Sequence, residues 1–343
     1  MPIQGSDFHV FKSALISNTP AQNGGRMSAV ESLTNTKGNL FPDITQSQRV
    51  SGVTLVRKRF EKIHTDPAIE LVNARAFIST PSTGDDYSLL LHTGSHTDTE
   101  DQIPGNQRHF GLGTLKTGVS LGATQLVITL EHAGMAASGL QPFKPGDTLW
   151  ISNQGSSIHN AGNSEFLTVG PNAGDVSYSG GDVTLNLTVG TTFAWTAGAY
   201  VSSVITVASV KPTWTNLVVT SSAGAFTESN NIVLNGFGAI QQNWTITLTN
   251  SVTGAFRLDG DALGTGVATG TMGSDFSPNH PDFSKPYFKI KSTAWSGTWA
   301  NNDTLTFTTG PAAIPLWHKL IVPAGAASIS NTGCNVAVIG ESA

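Results

Sequence analysis

Apolar residues recur at every second position in short runs along most of this chain. In the stretch 122–130, Leu126, Ile128 and Leu130 alternate with other residues, so all three lie on one face of an extended strand. Turn-forming Gly, Pro, Asn and Asp separate this run from four more, at residues 143–153, 165–169, 182–189 and 198–205. The pattern predicts a compact antiparallel β domain over residues 114–206.

The turn inside the second of these runs follows from its sequence. Pro145 presets φ for a turn, and Gly146 can adopt the left-handed conformation. The chain can therefore enter a strand at Thr148. We expect a tight turn at residues 145–147.

Strand candidates also lie on both sides of this central region. Before it they are residues 53–63, 68–79 and 86–91, with a turn at 84–86 and a polar loop at 93–113. After it they are residues 214–220, 232–234, 244–249, 255–258, 287–291, 304–308 and 316–322. The later group has the spacing of a β-sandwich. The alternation slips near Arg57, which predicts a β-bulge there.

The first fifty residues differ from the rest in showing little periodicity and many turn-forming residues. A segment this polar buries little of its own surface. It is therefore interpreted as an extended arm that becomes ordered on a neighbouring subunit or domain, or as a loosely packed loop region. A helical turn is expected after Pro42, with Asp43 or Thr45 as its cap.

Together these patterns predict an all-β, multi-domain protein built from antiparallel β-sandwich or barrel modules, with helix as a small minority. The predicted parts are an extended N-terminal arm at residues 1–50, a first β domain with a polar loop at 51–113, a central small β domain at 114–206 and a C-terminal β-sandwich domain at 207–343.

The composition is unusually neutral. Only 12% of the residues are charged, compared with about 25% in an ordinary globular domain, and Thr, Ser and Asn occupy many polar positions. Neutral hydroxyls and amides cost less to bury than ions. We therefore expect a symmetric homo-oligomer with large neutral-polar interfaces, above ~1,000 Å² each. The net charge of −5 indicates no basic surface for direct nucleic-acid binding.

The chain shows no sign of export or of membrane insertion. Its first residues lack the basic and apolar regions of a signal peptide, and no run approaches the ~18 apolar residues of a membrane span. Cys334 is the only cysteine, so no disulfide within the chain is possible. We expect synthesis in the cytoplasm, with release by lysis or within an assembly.

Two groups of charged residues are candidates for binding. The basic run at residues 57–62 either contacts an acidic partner or covers a solvated strand face. The loop with His92, His96, Asp98, Glu100 and Asp101 is the densest set of metal-ligand residues, and it holds Zn²⁺ or Ca²⁺ or is a solvated loop. Its histidine spacing matches no zinc signature, so no metal and no other cofactor is predicted.

The stretch beginning at Asp259 and Gly260 resembles the start of a calcium-binding loop. However, Leu263 and Gly270 occupy positions where that loop needs oxygen ligands. A hairpin turn after Phe256 is the simpler interpretation.

No catalytic motif is found in the sequence. Gly111 and Gly113 fit no nucleotide-binding pattern, Cys334 has no histidine at a known spacing, and no paired carboxylates of a glycosidase are recognisable. We therefore predict no enzymatic activity and assign no catalytic residue.

Aromatic residues near the end of the chain allow two interpretations. They form either a platform for sugar rings or the core of the sandwich: Trp295, Trp299, Trp317, Tyr287 and Phe288. The first interpretation would suit a receptor-binding module that recognises host surface glycans.

Several stretches together resemble a family of structural proteins encoded in the virion modules of tailed bacteriophages and prophages. They are residues 4–14 (QGSDFHVFKSA), 24–27 (GGRM), 40–44 (LFPDI), 57–60 (RKRF), 311–317 (PAAIPLW), 322–327 (VPAGAA) and 340–342 (GES). The run 143–149 (FKPGDTL) is similar to small β modules of phage particles.

The resemblance implies a structural component of the virion, assembled in the host cytoplasm beside other virion proteins. The tail or baseplate is the expected place. A head-decoration or neck protein is one alternative, and a receptor-binding β module is the other.

Overall fold

The computed structural model describes residues 2–33, 36, 38–82, 84, 86–131, 135, 139–153, 162–329 and 333–343. Strands hold 50% of the residues and helices 7%, so the predicted all-β fold class is confirmed. The described residues contain no helix that is long and apolar enough to cross a membrane.

The strands are named in chain order. They are β1 Phe8–Leu15, β2 Gly24–Glu31, β3 Val53–Ile63, β4 Leu71–Thr80, β5 Ser88–Thr93, β6 Leu112–Leu115, β7 Gln125–Leu130, β8 Thr148–Ser152, β9 Ser164–Thr168, β10 Val176–Ser179, β11 Asp182–Asn186, β12 Tyr200–Ser203, β13 Ile205–Val210, β14 Thr213–Thr220, β15 Ala223–Phe226, β16 Ile232–Val233, β17 Gln242–Asn250, β18 Ala255–Gly260, β19 Gly264–Thr271, β20 Asn279–His280, β21 Lys285–Pro286, β22 Lys289–Ile290, β23 Trp295–Thr298, β24 Thr304–Gly310, β25 Ala313–Val322 and β26 Asn335–Ser342.

Helical segments in the described residues are few and short. The α-helix α1 spans Gln46–Ser51, and the 3₁₀ helices span Gly5–Asp7, Pro20–Gln22, Glu100–Gln102, Ala173–Asp175 and Ser292–Ala294. The backbone N–H of Gln48 donates a hydrogen bond to the Thr45 hydroxyl at 3.2 Å. Thr45 is therefore the cap of the predicted helical turn, and Asp43 is not.

The first and second sheets form a sandwich. Their strand orders are β2-β1-β3-β25-β5 and β13-β4-β26. Ile63, Leu91 and Leu316 of the first sheet share one buried core with Ala76 and Ile78 of the second. The alternation of these residues along their strands places them on the facing sides.

The third sheet has seven strands in the order β10-β11-β7-β6-β12-β8-β9. Its core includes Leu126, Ile128 and Leu130, as their alternation predicts, and all five predicted runs contribute strands. Gly146 has a φ of +81°, and the backbone N–H of Asp147 donates to the carbonyl of Lys144. The predicted turn is therefore confirmed.

The fourth sheet has five strands in the order β14-β24-β17-β18-β19. Its core is aromatic, with Trp244, Phe256, Phe288 and Phe307 all buried. Three two-stranded sheets accompany it: β15 with β23, β16 with β22, and β20 with β21.

Strand pairing links distant parts of the chain. The first two sheets combine β1–β5, β13, β25 and β26, whereas the third and fourth sheets use the intervening segments 112–203 and 213–310. Pairing therefore crosses the predicted boundaries after residues 50 and 206. The division into an arm and three β domains stays a prediction.

The first fifty residues contain two strands that the sequence did not indicate. In the first sheet β1 pairs with β3, with Phe11 opposite Phe60, and β2 pairs with β1. These strands are therefore ordered against their own chain. This pairing contradicts the loosely packed loop over residues 8–15 and 24–31 and agrees with a segment ordered on a neighbouring domain. Contact of the segment with another subunit stays a prediction.

The bulge expected near Arg57 is absent. The register of β3 with β25 runs without a break from Val53 opposite Val322 to Lys62 opposite Ala313. From Phe60 to Ile63 every residue of β3 is buried. The apolar alternation slips because charged side chains occupy buried positions on this strand.

Candidate functional site

The charged run of β3 is buried, which contradicts the expected solvated face or acidic partner. The side chain of Lys58 is fully buried. Its ammonium donates to the carboxylate Oδ1 of Asp98 at 2.5 Å, to the carbonyl of Asp98 at 3.0 Å and to that of Gly25 at 2.8 Å. Three acceptors thus satisfy the three protons of the ammonium.

Trp317 binds the second carboxylate oxygen of Asp98. It stands opposite Lys58 on β25, and its indole N–H donates to Asp98 Oδ2 at 2.9 Å. Burial opposes ionisation of Asp98, but the hydrogen bonds from Lys58 and Trp317 outweigh it and lower the pKa of this carboxyl. A Cβ at Gly24 would lie 2.5 Å from the indole, so the backbone closes directly over the ring.

The histidines of the candidate metal loop take part in aromatic packing. His92 stacks on Trp317 with ring centroids 6.0 Å apart, and His96 stacks on Phe60 at the same distance. Burial lowers the pKa of each to about 4, so both are neutral at pH 7.

The carboxylates of the same loop face different partners. Asp98 binds Lys58, Glu100 accepts a hydrogen bond from Asn23 at 2.7 Å, and Asp101 accepts one from Thr99. In the described part of the chain, no three His, Cys, Asp or Glu side chains come together in a way that could hold a metal ion. The loop is therefore partly solvated, with Asp101 exposed, and its acidic and histidine side chains do not converge. Asp98 is an internal counter-ion.

A second buried lysine, Lys62, lies four positions further along β3. The ammonium of Lys62 donates to the carbonyl of Phe237 at 2.6 Å and lies 4.5 Å from the ring centre of Phe283 and 5.4 Å from that of Phe11. Among the described residues no carboxylate pairs with it. Burial lowers the pKa of Lys62 to about 7.

Three histidines surround this lysine, and together with it they are called the Lys62 cluster: His9, His64 and His280. The ring of His64 lies 4.8 Å from that of His9 and 4.1 Å from that of Phe237. Burial is the main cause that lowers the pKa of His64 to about 3 and of His280 to about 4. The cluster joins the first sheet to the segment that precedes β22.

The candidate sugar platform is core. Trp299, Tyr287, Phe288 and Trp317 are all at most 5% exposed. Trp295 is half-buried, and its ring packs on Phe226, Phe256 and Trp299. These residues do not present an aromatic surface to a ligand.

The remaining candidates also have structural surroundings. Asp259 lies within β18, where it binds Arg257 and accepts a hydrogen bond from the backbone N–H of Gly266 at 2.7 Å. Strands rather than helices flank it, and the hairpin turn falls at residues 261–263. Burial raises the pKa of the Cys334 thiol to about 11, which disfavours a reactive thiolate at pH 7.

One open groove of about 280 Å³ lies where the chain passes from the second sheet to the fourth. Its lining includes His96, Val207, Lys211 and Pro311. No carboxylate lines it, and its chemistry matches no catalytic arrangement among the described residues.

The outer strands of the fourth sheet are the clearest candidates for contact with another protein. In the described part of the chain, β14 pairs with β24 alone and β19 with β18 alone. Neither strand contains a charged residue or proline. Sequence reasoning found β14 but missed β19, whose Gly and Thr residues gave no alternation.

Comparisons of this chain with known protein families, with curated proteins and with solved structures find no match.

Proposed function

We propose that this chain is a structural component of a tailed bacteriophage particle, with its place in the tail or baseplate. In this proposal it assembles as a symmetric homo-oligomer within the virion, beside other virion proteins. Support comes from the sequence resemblance and from the all-β architecture. No enzymatic step and no cofactor form part of the proposal.

The observation that carries the proposal is the internal use of charge. Lys58 and Lys62 are buried, and Arg26 pairs with Asp261 at 2.7 Å. Lys285 likewise pairs with Asp66. With so many of the few charges paired within the chain, the outer strands β14 and β19 present Thr, Gly, Asn and apolar residues and no charge.

Such a surface favours stable burial against other subunits. Neutral hydroxyls and amides lose less on leaving water than ions do, and a specific association buries about 1,000 Å² or more. A particle protein is held permanently in such contacts. The same chemistry would suit head decoration or the neck, so position in the particle is decided by experiment.

The receptor-binding alternative receives no comparable support. It required exposed aromatic rings for sugar contact. Trp299, Tyr287 and Phe288 are instead buried in the core of the fourth sheet and Trp317 beside Asp98, and the half-buried Trp295 packs against that core.

The test is a cryo-EM reconstruction of the particle whose genome encodes this chain. The expected result is density for the chain in several symmetric copies in the tail or baseplate, with interfaces lined by Thr, Ser, Asn and aliphatic residues. Density on the head or neck would move the chain to those places. Absence from purified particles, or one copy at a fibre tip with a bound glycan, would overturn the proposal.

A further inference from the structure

The fourth sheet has two uncharged edges on opposite sides. β14 and β19 are eight residues long each, and both consist of neutral residues. Open edges invite pairing with another strand, and soluble proteins usually block them with charge, proline or a covering segment. Here neither strand carries a charge or a proline.

The edges of the larger sheets elsewhere in the described chain are guarded. Three edge strands carry charged residues: β2 has Arg26 and Glu31, β9 has Glu165 and β26 has Glu341. The Lys211–Glu70 ion pair lies beside β13, and Phe110 forms a bridge to β5. The last edge strand, β10, is only four residues long. The two bare edges therefore distinguish the fourth sheet.

We propose that β19 of one copy pairs with β14 of the next, so that the fourth sheet continues from subunit to subunit. This inference rests on the proposed function, for which it names the contact. A contact between two β19 strands would cover one edge and leave β14 bare. A head-to-tail contact covers both edges, and it closes into a ring when the rotation between copies allows.

The geometry of the sheet sets the direction of this pairing. All four strand pairs in the sheet are antiparallel, so β14 and β19 run in the same direction. The contact between copies is therefore parallel when the next copy continues the sheet in the same orientation.

The regular parts of the two strands define where they meet. β14 has an irregularity between Thr215 and Val218, and Gly264 and Gly266 of β19 have positive φ. The pairing parts are thus residues 218–220 and 267–271. Val218, which is 55% exposed, would be covered by the contact.

Two double variants test the inference. In Thr220→Lys with Thr269→Lys, a head-to-tail contact places two lysines on facing edges. In Thr220→Lys with Thr269→Glu, it places a lysine beside a glutamate. Both threonines are exposed. The two variants differ only in the sign of the charge at residue 269. Like charges on paired strands are destabilising and opposite charges are stabilising.

Assembly is measured by sedimentation velocity over a range of protein concentrations. We expect the Lys/Lys variant to need about tenfold more protein for half-assembly than the wild type, and the Lys/Glu variant to assemble like the wild type. If both variants lose assembly, the copies pair through two identical edges, such as two β19 strands, and the head-to-tail inference is wrong. If both assemble normally, these edges are not the interface.

Hydrogen exchange gives a second measurement on the unmodified chain. Backbone amides of both β14 and β19 should exchange more slowly in the assembled form than in dilute monomer. This measurement needs no variant, so it applies even if a double variant does not fold. Equal exchange in the two forms overturns the inference. A wild type that assembles with unprotected edges leaves the proposed function intact, whereas a chain that never self-associates removes both.

Discussion

Lys58 and Lys62 lie four positions apart on one strand, and the protein accommodates their burial in different ways. Lys58 has a carboxylate and two carbonyl acceptors. Lys62 has one carbonyl and two aromatic rings. The first is a buried ion pair, whereas the second loses its charge more readily. These two environments lead to separate expectations.

The first prediction concerns the Lys58–Asp98 pair. Lys58→Met leaves the Asp98 carboxylate without its counter-ion, and we expect a loss of about 3–5 kcal/mol in the free energy of unfolding. Urea unfolding at pH 7 measures it. Lys116→Met is the control, because Lys116 pairs with Asp182 at the exposed surface and its loss should lower the free energy of unfolding far less. Equal losses in the two variants would contradict the assigned role of Lys58.

The second prediction concerns the pH dependence caused by Lys62. Its pKa is about 7 in the folded protein, compared with the ordinary value of 10.5. Between these values the unfolded chain binds more protons, so the free energy of unfolding rises with pH. The rise should be on the order of 4 kcal/mol from pH 7 to pH 10.5. His64 and His280 stay neutral throughout this window because burial lowers their pKa to about 3 and 4.

The comparison is between wild type and Lys62→Met, unfolded in urea at pH 7, 8, 9 and 10. Loss of the hydrogen bond to the Phe237 carbonyl costs the variant the same amount at each pH. The free energy of unfolding of the wild type, minus that of the variant, should therefore increase as the pH rises. A constant difference would show that Lys62 stays charged.

Individual strands were predictable where one face is apolar and the other polar. Leu126, Ile128 and Leu130 of β7 have this pattern, and β7 forms as expected. β1 and β2 were missed because polar residues interrupt their apolar alternation. Among these, His9 of β1 pairs with Glu31 and Arg26 of β2 pairs with Asp261. The predicted strand 287–291 is reduced to β22 at Lys289–Ile290. Part of the predicted turn at 84–86 lies outside the described residues.

The surroundings of Asp98 show why the candidate site was only partly predictable. The sequence marked its loop as rich in polar groups. The role of Asp98 depends on Lys58, 40 residues away, and on Trp317, 219 residues away. Such contacts arise from sheet topology, which local periodicity does not encode.

The third prediction concerns the N-terminal hairpin. Removal of residues 2–33 exposes the edge of β3 and deletes the Gly25 carbonyl that accepts from Lys58. We expect the truncated chain to lose its cooperative thermal transition. Removal of residues 2–4 is the control and should leave that transition in place. A truncated chain that folds normally but no longer assembles would instead support the arm interpretation of the sequence.

The fourth prediction concerns the molecule as a whole. Because β14 and β19 carry no charge, their pairing involves little Coulomb attraction. Raising the salt concentration from ~0.1 M to ~1 M, which shortens the Debye length from about 10 Å to 3 Å, should change the concentration for half-assembly less than about threefold. Analytical ultracentrifugation measures this. Dissociation at high salt would point to an interface of ion pairs elsewhere.

The position of β25 has a consequence for synthesis on the ribosome. This strand lies between β3 and β5 in the first sheet, yet about 250 residues separate it from the end of β3. At ~5–20 residues per second that interval lasts roughly 12–50 s. During this interval β3 and β5 lack β25, the strand that pairs with both. The third and fourth sheets, whose strands lie between β5 and β25 in the sequence, can already fold. A strand that emerges late therefore completes a sheet whose other strands emerged early.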